Sequence, residues 1–304
     1  MRRRLYRWAT KETEHDNYER LFNFKSGKEY GAMRYHFMSL GEKAEVDITI
    51  MDIICIMNNI QNNEKFKFTT YCVLHLFWHR ILERYGRNFI SATTGLPHDI
   101  TTLENINPLH YIDESKMKSA PFLFAPILYA KHWWLYVLDV DNKKFYAMDS
   151  LNPKSPGGDR NKLGRFVSSV LDQMWVLARA ETMFPNKTRA LGLHSLLPKY
   201  IPVPRQPNAY DCGVYVIKYM GYVNPSILGK RQFSLPIWTE AELQEFREEN
   251  VERILYHGDN YYMYQAIKVA NSATRDLKPS IALQSPYTQL NTADLESEKS
   301  DASK

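Results

Sequence analysis

The chain has 304 residues, 44% of them hydrophobic, with 20 Tyr and 14 Phe, which is enough for one large domain or two small ones. A net charge of +5 permits an acidic partner, but nucleic-acid binding normally needs a clustered basic face, so none is expected. No apolar run approaches the roughly 20 residues that span a bilayer, and Met1-Arg2-Arg3-Arg4 opens no secretory signal, so no membrane role is expected.

Residues 1–40 mix charge and aromatics without a sustained period and stand as an extension of unassigned structure. Arg2 to Arg7 reads as a solvated terminus, and Glu12, Glu14 and Asp16 argue against an organelle address. Val46 to Ile60 is dense in apolar residues and long enough to favour a helix. Tyr71 to Tyr85 is a second predicted helix, ended by Gly86. Its His75 and His79 share a face, but neither a third ligand nor the Glu of a His-Glu-x-x-His motif is near, so packing is preferred to metal.

Pro121 to Tyr129, His132 to Leu138 and Lys143 to Met148 read as three strands, the last two joined by turn chemistry at Asp139-Val140-Asp141-Asn142. Asn152 to Asp159 is a loop. Lys162 to Ala180 has helical spacing in Leu163, Phe166, Val170, Leu171, Met174 and Leu177. Tyr200 to Pro204 is an edge strand at best, because its prolines cannot donate to a ladder. Gly213 starts a further helix, and Ala241 to Tyr256 is a charged one. Past residue 268 the pattern fades, so 41–268 is the expected domain and 269–304 a disordered tail.

Three cysteines are too few, and odd in number, for a disulfide framework. Cys55 and Cys72 have apolar neighbours and read as buried, inert thiols in an intracellular, reducing compartment. Cys212 differs. Asp211-Cys212-Gly213 follows a stretch broken by Pro207 and leads into an apolar helix, so its sulfur sits at a helix N-terminus, where thiolate is favoured over thiol. A hairpin centred between Val140 and Asp141 sets His132 opposite Asp149, with about 5 Å between their Cβ atoms. A carboxylate there can fix the imidazole tautomer and stabilise the charged ring. With Cys212 these residues make an activated-nucleophile set, and the Cys212 N–H and the Gln206 amide are candidate oxyanion donors. The same residues also have ordinary readings, as packing, strand and loop positions.

His132-Trp133, Asp149 17 residues later, and Gln206 six residues before Cys212-Gly213 resemble the motifs of the ubiquitin-like-protein-specific, SUMO-type cysteine proteases, in a divergent, plant-like form. The resemblance implies an α+β, papain-like fold with a central sheet flanked by helices. It implies His132 as base and acid, Asp149 as its orienting partner, Cys212 as nucleophile and Gln206 as oxyanion donor. Trp133 would cover a narrow tunnel for a Gly-Gly tail. The implied partners are a SUMO-like modifier and its conjugates, the implied residence is the nucleus, and neither cofactor nor metal is called for. One departure stands out: the family's early Trp-Leu-x-Asp motif has no Trp here, and the corresponding stretch is Glu45 to Asp52, with Asp47 or Asp52 in the place of its Asp. Two other readings use the same residues: a catalytically silent modifier-binding module, and an acyltransferase running the same acyl-enzyme chemistry.

Overall fold

The computed structural model describes residues 1–25, 30–60, 70–101, 112–152, 154, 157–180, 196–223, 228 and 235–272. In chain order, helix α1 (Arg2–Thr10) precedes a small antiparallel pair, β1 (Arg20–Asn23) and β2 (Gly31–Met33), then α2 (Arg34–Met38) and α3 (Ile48–Ile60). Strand β3 (Thr70–Cys72) leads to α4 (His75–Tyr85) and α5 (Glu114–Ser119). Next come β4 (Phe122–Tyr129), β5 (His132–Asp139), β6 (Lys144–Met148), α6 (Gly158–Ala180) and β7 (Lys199–Tyr200), followed by α7 (Cys212–Tyr222), α8 (Glu240–Leu255) and α9 (Met263–Asn271).

The central sheet has the order β3-β4-β5-β6-β7, with antiparallel pairing in the middle and parallel pairing at both edges. Alternation along β5 divides the interior in two. Trp133, Leu135 and Val137 enter one core with α3, α7 and α8. Trp134, Tyr136 and Leu138 enter the other with α4 and α6. Both faces are covered, so all eight β5 residues are buried. On α6 the helical stripe of Leu163, Phe166, Val170, Leu171 and Met174 is fully buried, each side chain worth about 1.5–3 kcal/mol of transfer free energy.

Three expectations need correction. The predicted Tyr71–Tyr85 helix divides: Tyr71 and Cys72 belong to β3, parallel to β4, and the helix starts only at His75. The buried Asp52 carboxylate of α3 accepts from the backbone N–H groups of His75 and Leu76, which captures the first turn at that point. The β5–β6 hairpin is slipped by two residues: Leu135 faces Met148 and Asp139 faces Lys144. Asp139 organises that turn by accepting from Asn142 N at 3.1 Å and Asn142 Nδ2 at 3.0 Å, with Lys143 left-handed at φ 51°. The basic start is not simply solvated either. Arg2 donates to Glu252 of α8 at 2.7 Å, with Glu249 and Glu245 at 3.4 and 3.6 Å.

Residues 1–40 share the first core. Leu5, Ala9, Leu21, Phe22 and Phe37 are buried in the same cluster as residues of α7 and α8. Helix α9 runs past residue 268, and its Ala266 and Ala270 are buried. The rest of the expected tail, 273–304, lies outside the described residues. Among the described residues, no helix is long and apolar enough to cross a membrane.

Candidate active site

Three elements, β5, β6 and α7, place His132, Asp149 and Cys212. Strand β5 begins at His132, directly after a two-residue turn in which Ala130 and Lys131 are both left-handed (φ 51° and 59°). Such a primed turn matches the twist of the paired strands, at a cost when neither residue is glycine. Asp149 follows β6. Helix α7 starts at Cys212, with Asp211 as its N-cap residue, so the Cys212 N–H is among the first four of the helix, which lack an intrahelical acceptor.

His132 Nε2 meets Asp149 Oδ1 at 2.7 Å. The two-residue slip did not separate them. An even slip keeps both side chains on one face of the sheet, as diagonal rather than direct neighbours. Nδ1 of His132 is buried and holds no formed hydrogen bond among the described residues, so it is the nitrogen left for the thiol. Burial favours the neutral ring, but the Asp149 hydrogen bond and the neighbouring Cys212 outweigh it and lift the imidazole to about 9.

Asp149 is fully buried, and burial alone would push its carboxyl up. The His132 bond and charge, then Arg160 and the Asn152 N–H, reverse that and hold it below the usual carboxylate range. Oδ1 also accepts from Leu151 N at 3.0 Å and Asn152 N at 2.9 Å, and Oδ2 accepts from Arg160.

Gln206 is anchored from both ends. Ser150 Oγ donates to its Oε1 at 2.5 Å, its Nε2 donates to Asn208 O at 2.7 Å, and its backbone N–H donates to Ser150 O at 3.0 Å. An amide nitrogen carries two hydrogens, so one remains after the Asn208 bond. Asn208 in turn accepts from Tyr210 N and Asp211 N, and Asp211 forms a buried 2.7 Å ion pair with Arg247 of α8. Arg247 also donates to the carbonyls of Ser39, Gly41 and Ala44, which ties the turn before Cys212 to the N-terminal region.

Trp133 lies on the opposite face of β5 from His132. Its Nε1 donates to Val46 O at 3.0 Å, and His75 packs edge-on against its ring, with centroids 4.8 Å apart. Burial pushes His75 down to about 4, so it supports the indole as a neutral ring. Beside Cys212, a Cβ on Gly213 would meet Val46 Cβ at 2.6 Å and Trp133 Cδ1 at 3.1 Å. Glycine is thus required by close approach, and Val46 comes from the stretch where the expected early Trp is missing. Of the two early acids, Asp47 accepts from Thr49 N at the start of α3, and Asp52 holds α4.

Ser150, Asn152 and Arg160 were not singled out from sequence. Arg160 gave no signal there, because the expected helix began at Lys162; only with the start at Gly158 does it fall in a first turn, where a cation opposes the macrodipole.

An imidazole held by a buried carboxylate beside a thiol at a helix start is the pattern of an activated-nucleophile site, here on an α+β, papain-like scaffold. The description "Ulp1 protease family, C-terminal catalytic domain" matches residues 98–253, just over half the chain, and the chain belongs to that family. The chain is 24% identical over 193 residues to the probable ubiquitin-like-specific protease 2B of Arabidopsis thaliana, covering 58% of this chain and 19% of that protein. It is 25% identical over 139 residues to ubiquitin-like-specific protease 1A of the same plant, covering 46% and 24%. It therefore spans only about a fifth to a quarter of these relatives' length. The fold is similar to that of the C-terminal Ulp1 protease domain solved in complex with SMT3, the yeast ortholog of SUMO. There the TM-score is 0.51 at 18% identity, covering 82% of this chain and 91% of the other. A structure of the SUMO protease Ulp1 with its catalytic cysteine oxidised to a sulfinic acid matches at a TM-score of 0.51 and 15% identity, covering 83% and 92%.

Proposed function

We propose that this chain is a cysteine-type peptidase or isopeptidase that cleaves after the C-terminal glycine of a SUMO-like modifier, in precursors or conjugates. The observation that carries it is the His132 ring, clamped by Asp149 through Nε2 and left with Nδ1 for Cys212. In this reading the Cys212 thiolate attacks the scissile carbonyl and the oxyanion is received by the Cys212 N–H and the remaining Gln206 Nε2 hydrogen. His132 gives its proton to the departing amine, and water, activated by the then-neutral ring, hydrolyses the thioester.

A panel of modifier–propargyl probes tests this reading. A SUMO-type probe is expected to label Cys212 in the parent and leave Cys212→Ala unlabelled. Folded parent protein that no modifier probe labels would overturn the assignment.

A further inference from the structure

We propose that Arg160 is a positioning residue of this site, which holds the Asp149 carboxylate ionised and aimed at His132 by bridging its far oxygen. The inference rests on the thiol-hydrolase reading above and extends it to a residue outside the His, Asp, Gln and Cys set.

Three independent features point to this role. Arg160 donates to Asp149 Oδ2 while His132 occupies Oδ1, so the carboxylate lies between two cationic groups. The guanidinium is itself fixed, with its central carbon 3.4 Å from the centroid of the Trp134 ring. That indole stacks on His132, centroids 5.8 Å apart and planes 29° from parallel. Arginine, tryptophan and histidine thus form one layered unit around the carboxylate, and guanidinium stacking of this kind needs a planar cation. Finally, Arg160 lies in the first turn of α6, where the helix dipole disfavours a cation, so the pairing with Asp149 is what accounts for its place.

The physical consequence concerns the acid side of the reaction. A buried carboxylate with one cation can be neutralised by a proton well before one with two. Once Asp149 is protonated, the imidazolium loses its counter-charge and the thiolate loses its partner. The groups facing His132 are Asp149 and Cys212. The Tyr136 and Tyr200 hydroxyls near Arg160 are pushed up by burial and stay neutral across the working range. Arg160 is therefore the group whose removal should move the acid edge.

Alkylation of Cys212 by iodoacetamide, followed against pH by peptide mass, reads this edge without any modifier substrate. Cys212 is itself only 1% exposed, so Cys55 and Cys72, both fully buried, control for access to a buried thiol. In Arg160→Met the acid edge of Cys212 reactivity is expected to rise by about 1–3 pH units, and Arg160→Lys, which keeps the charge but not the stacked plane, should recover only part of that shift. In an Asp149→Asn background, Arg160→Met should move nothing further, because the two act as one unit. Should Arg160→Met fail to fold, Arg160→Gln, which keeps a donor without the charge, makes the same comparison. An activated profile in the parent that neither uncharged variant moves would overturn the role of Arg160 and leave the thiol chemistry standing. A parent whose Cys212 alkylates as an ordinary thiol would overturn both.

Discussion

Asp149 and Asp52 are both completely buried carboxylates, and both accept two backbone N–H groups, yet they are driven in opposite directions. Asp149 is held below the usual range, while burial pushes Asp52 up to about 6 against the pull of the Tyr30 hydroxyl and the Leu76 and His75 N–H groups. The difference is charge. Asp149 faces His132 and Arg160, whereas the donors to Asp52 among the described residues are neutral. At Asp52 the neutral hydrogen bonds soften the cost of burial without reversing it, whereas at Asp149 the added cations do reverse it. One acid is arranged to stay ionised between His132 and Arg160, and the other acts as a staple between α3 and α4.

The largest expected effect separates these roles directly. Asp149→Asn should lower turnover of a modifier-based substrate by as much as about 10⁴-fold, because the ring loses both tautomer and orientation. Asp52→Asn should leave turnover within a few-fold of the parent, measured on the same substrate. Equal losses in the two variants would break the distinction. The imidazolium also sets an alkaline limit: turnover should fall as pH rises through about 9, where His132 gives up its proton. The stability contributed by that raised ring is fully present below about pH 6.5 and is lost over the same rise.

A third buried acid sharpens the comparison. Asp211 pairs with Arg247 with both side chains nearly inaccessible. Arg247→Met strands that carboxylate and the carbonyls of Ser39, Gly41 and Ala44 together. A loss of about 3–5 kcal/mol is expected by urea unfolding. Asp52 comes next. Its folded value lies above its unfolded one, so its stabilising contribution is complete below the unfolded value and disappears as pH rises through about 6. Asp52→Asn should therefore flatten the stability–pH curve between about pH 4 and 7, by up to about 3 kcal/mol. An unchanged slope would mean that Asp52 is no more perturbed than a surface acid.

The chemistry of the site was more legible in the sequence than its support. His132 and Asp149 were matched through a hairpin register that proved wrong by two residues, and they still meet because sheet faces repeat every second residue. The central strands followed from short apolar, aromatic and branched runs bounded by turn residues, and α6 from helical spacing. The break between β3 and α4 did not, because Tyr71-Cys72-Val73-Leu74 fits either state, and the boundary is set by Asp52, some 20 residues earlier in the chain. Nor did the packing of residues 1–40 announce itself. Short elements such as β1, β2 and α2 carry too few residues to show a period, and α1 finds its partners on α8 and α9 near the other end of the sequence. Contacts between distant segments leave no local pattern to read.

The smallest effect tests whether the scaffold stores strain beside its reacting ring. The β4–β5 turn places Ala130 and Lys131 in left-handed conformations immediately before His132, and both residues are exposed. Lys131→Gly removes the Cβ penalty of that conformation, worth about 1 kcal/mol, but loosens the unfolded chain, which offsets part of the gain. A net stabilisation of about 0.5 kcal/mol by urea unfolding is expected. If the turn is only a connection, turnover should be unchanged. If its rigidity helps hold His132 against Asp149, the more stable variant should turn over more slowly, and that opposition between stability and rate would mark the turn as part of the site.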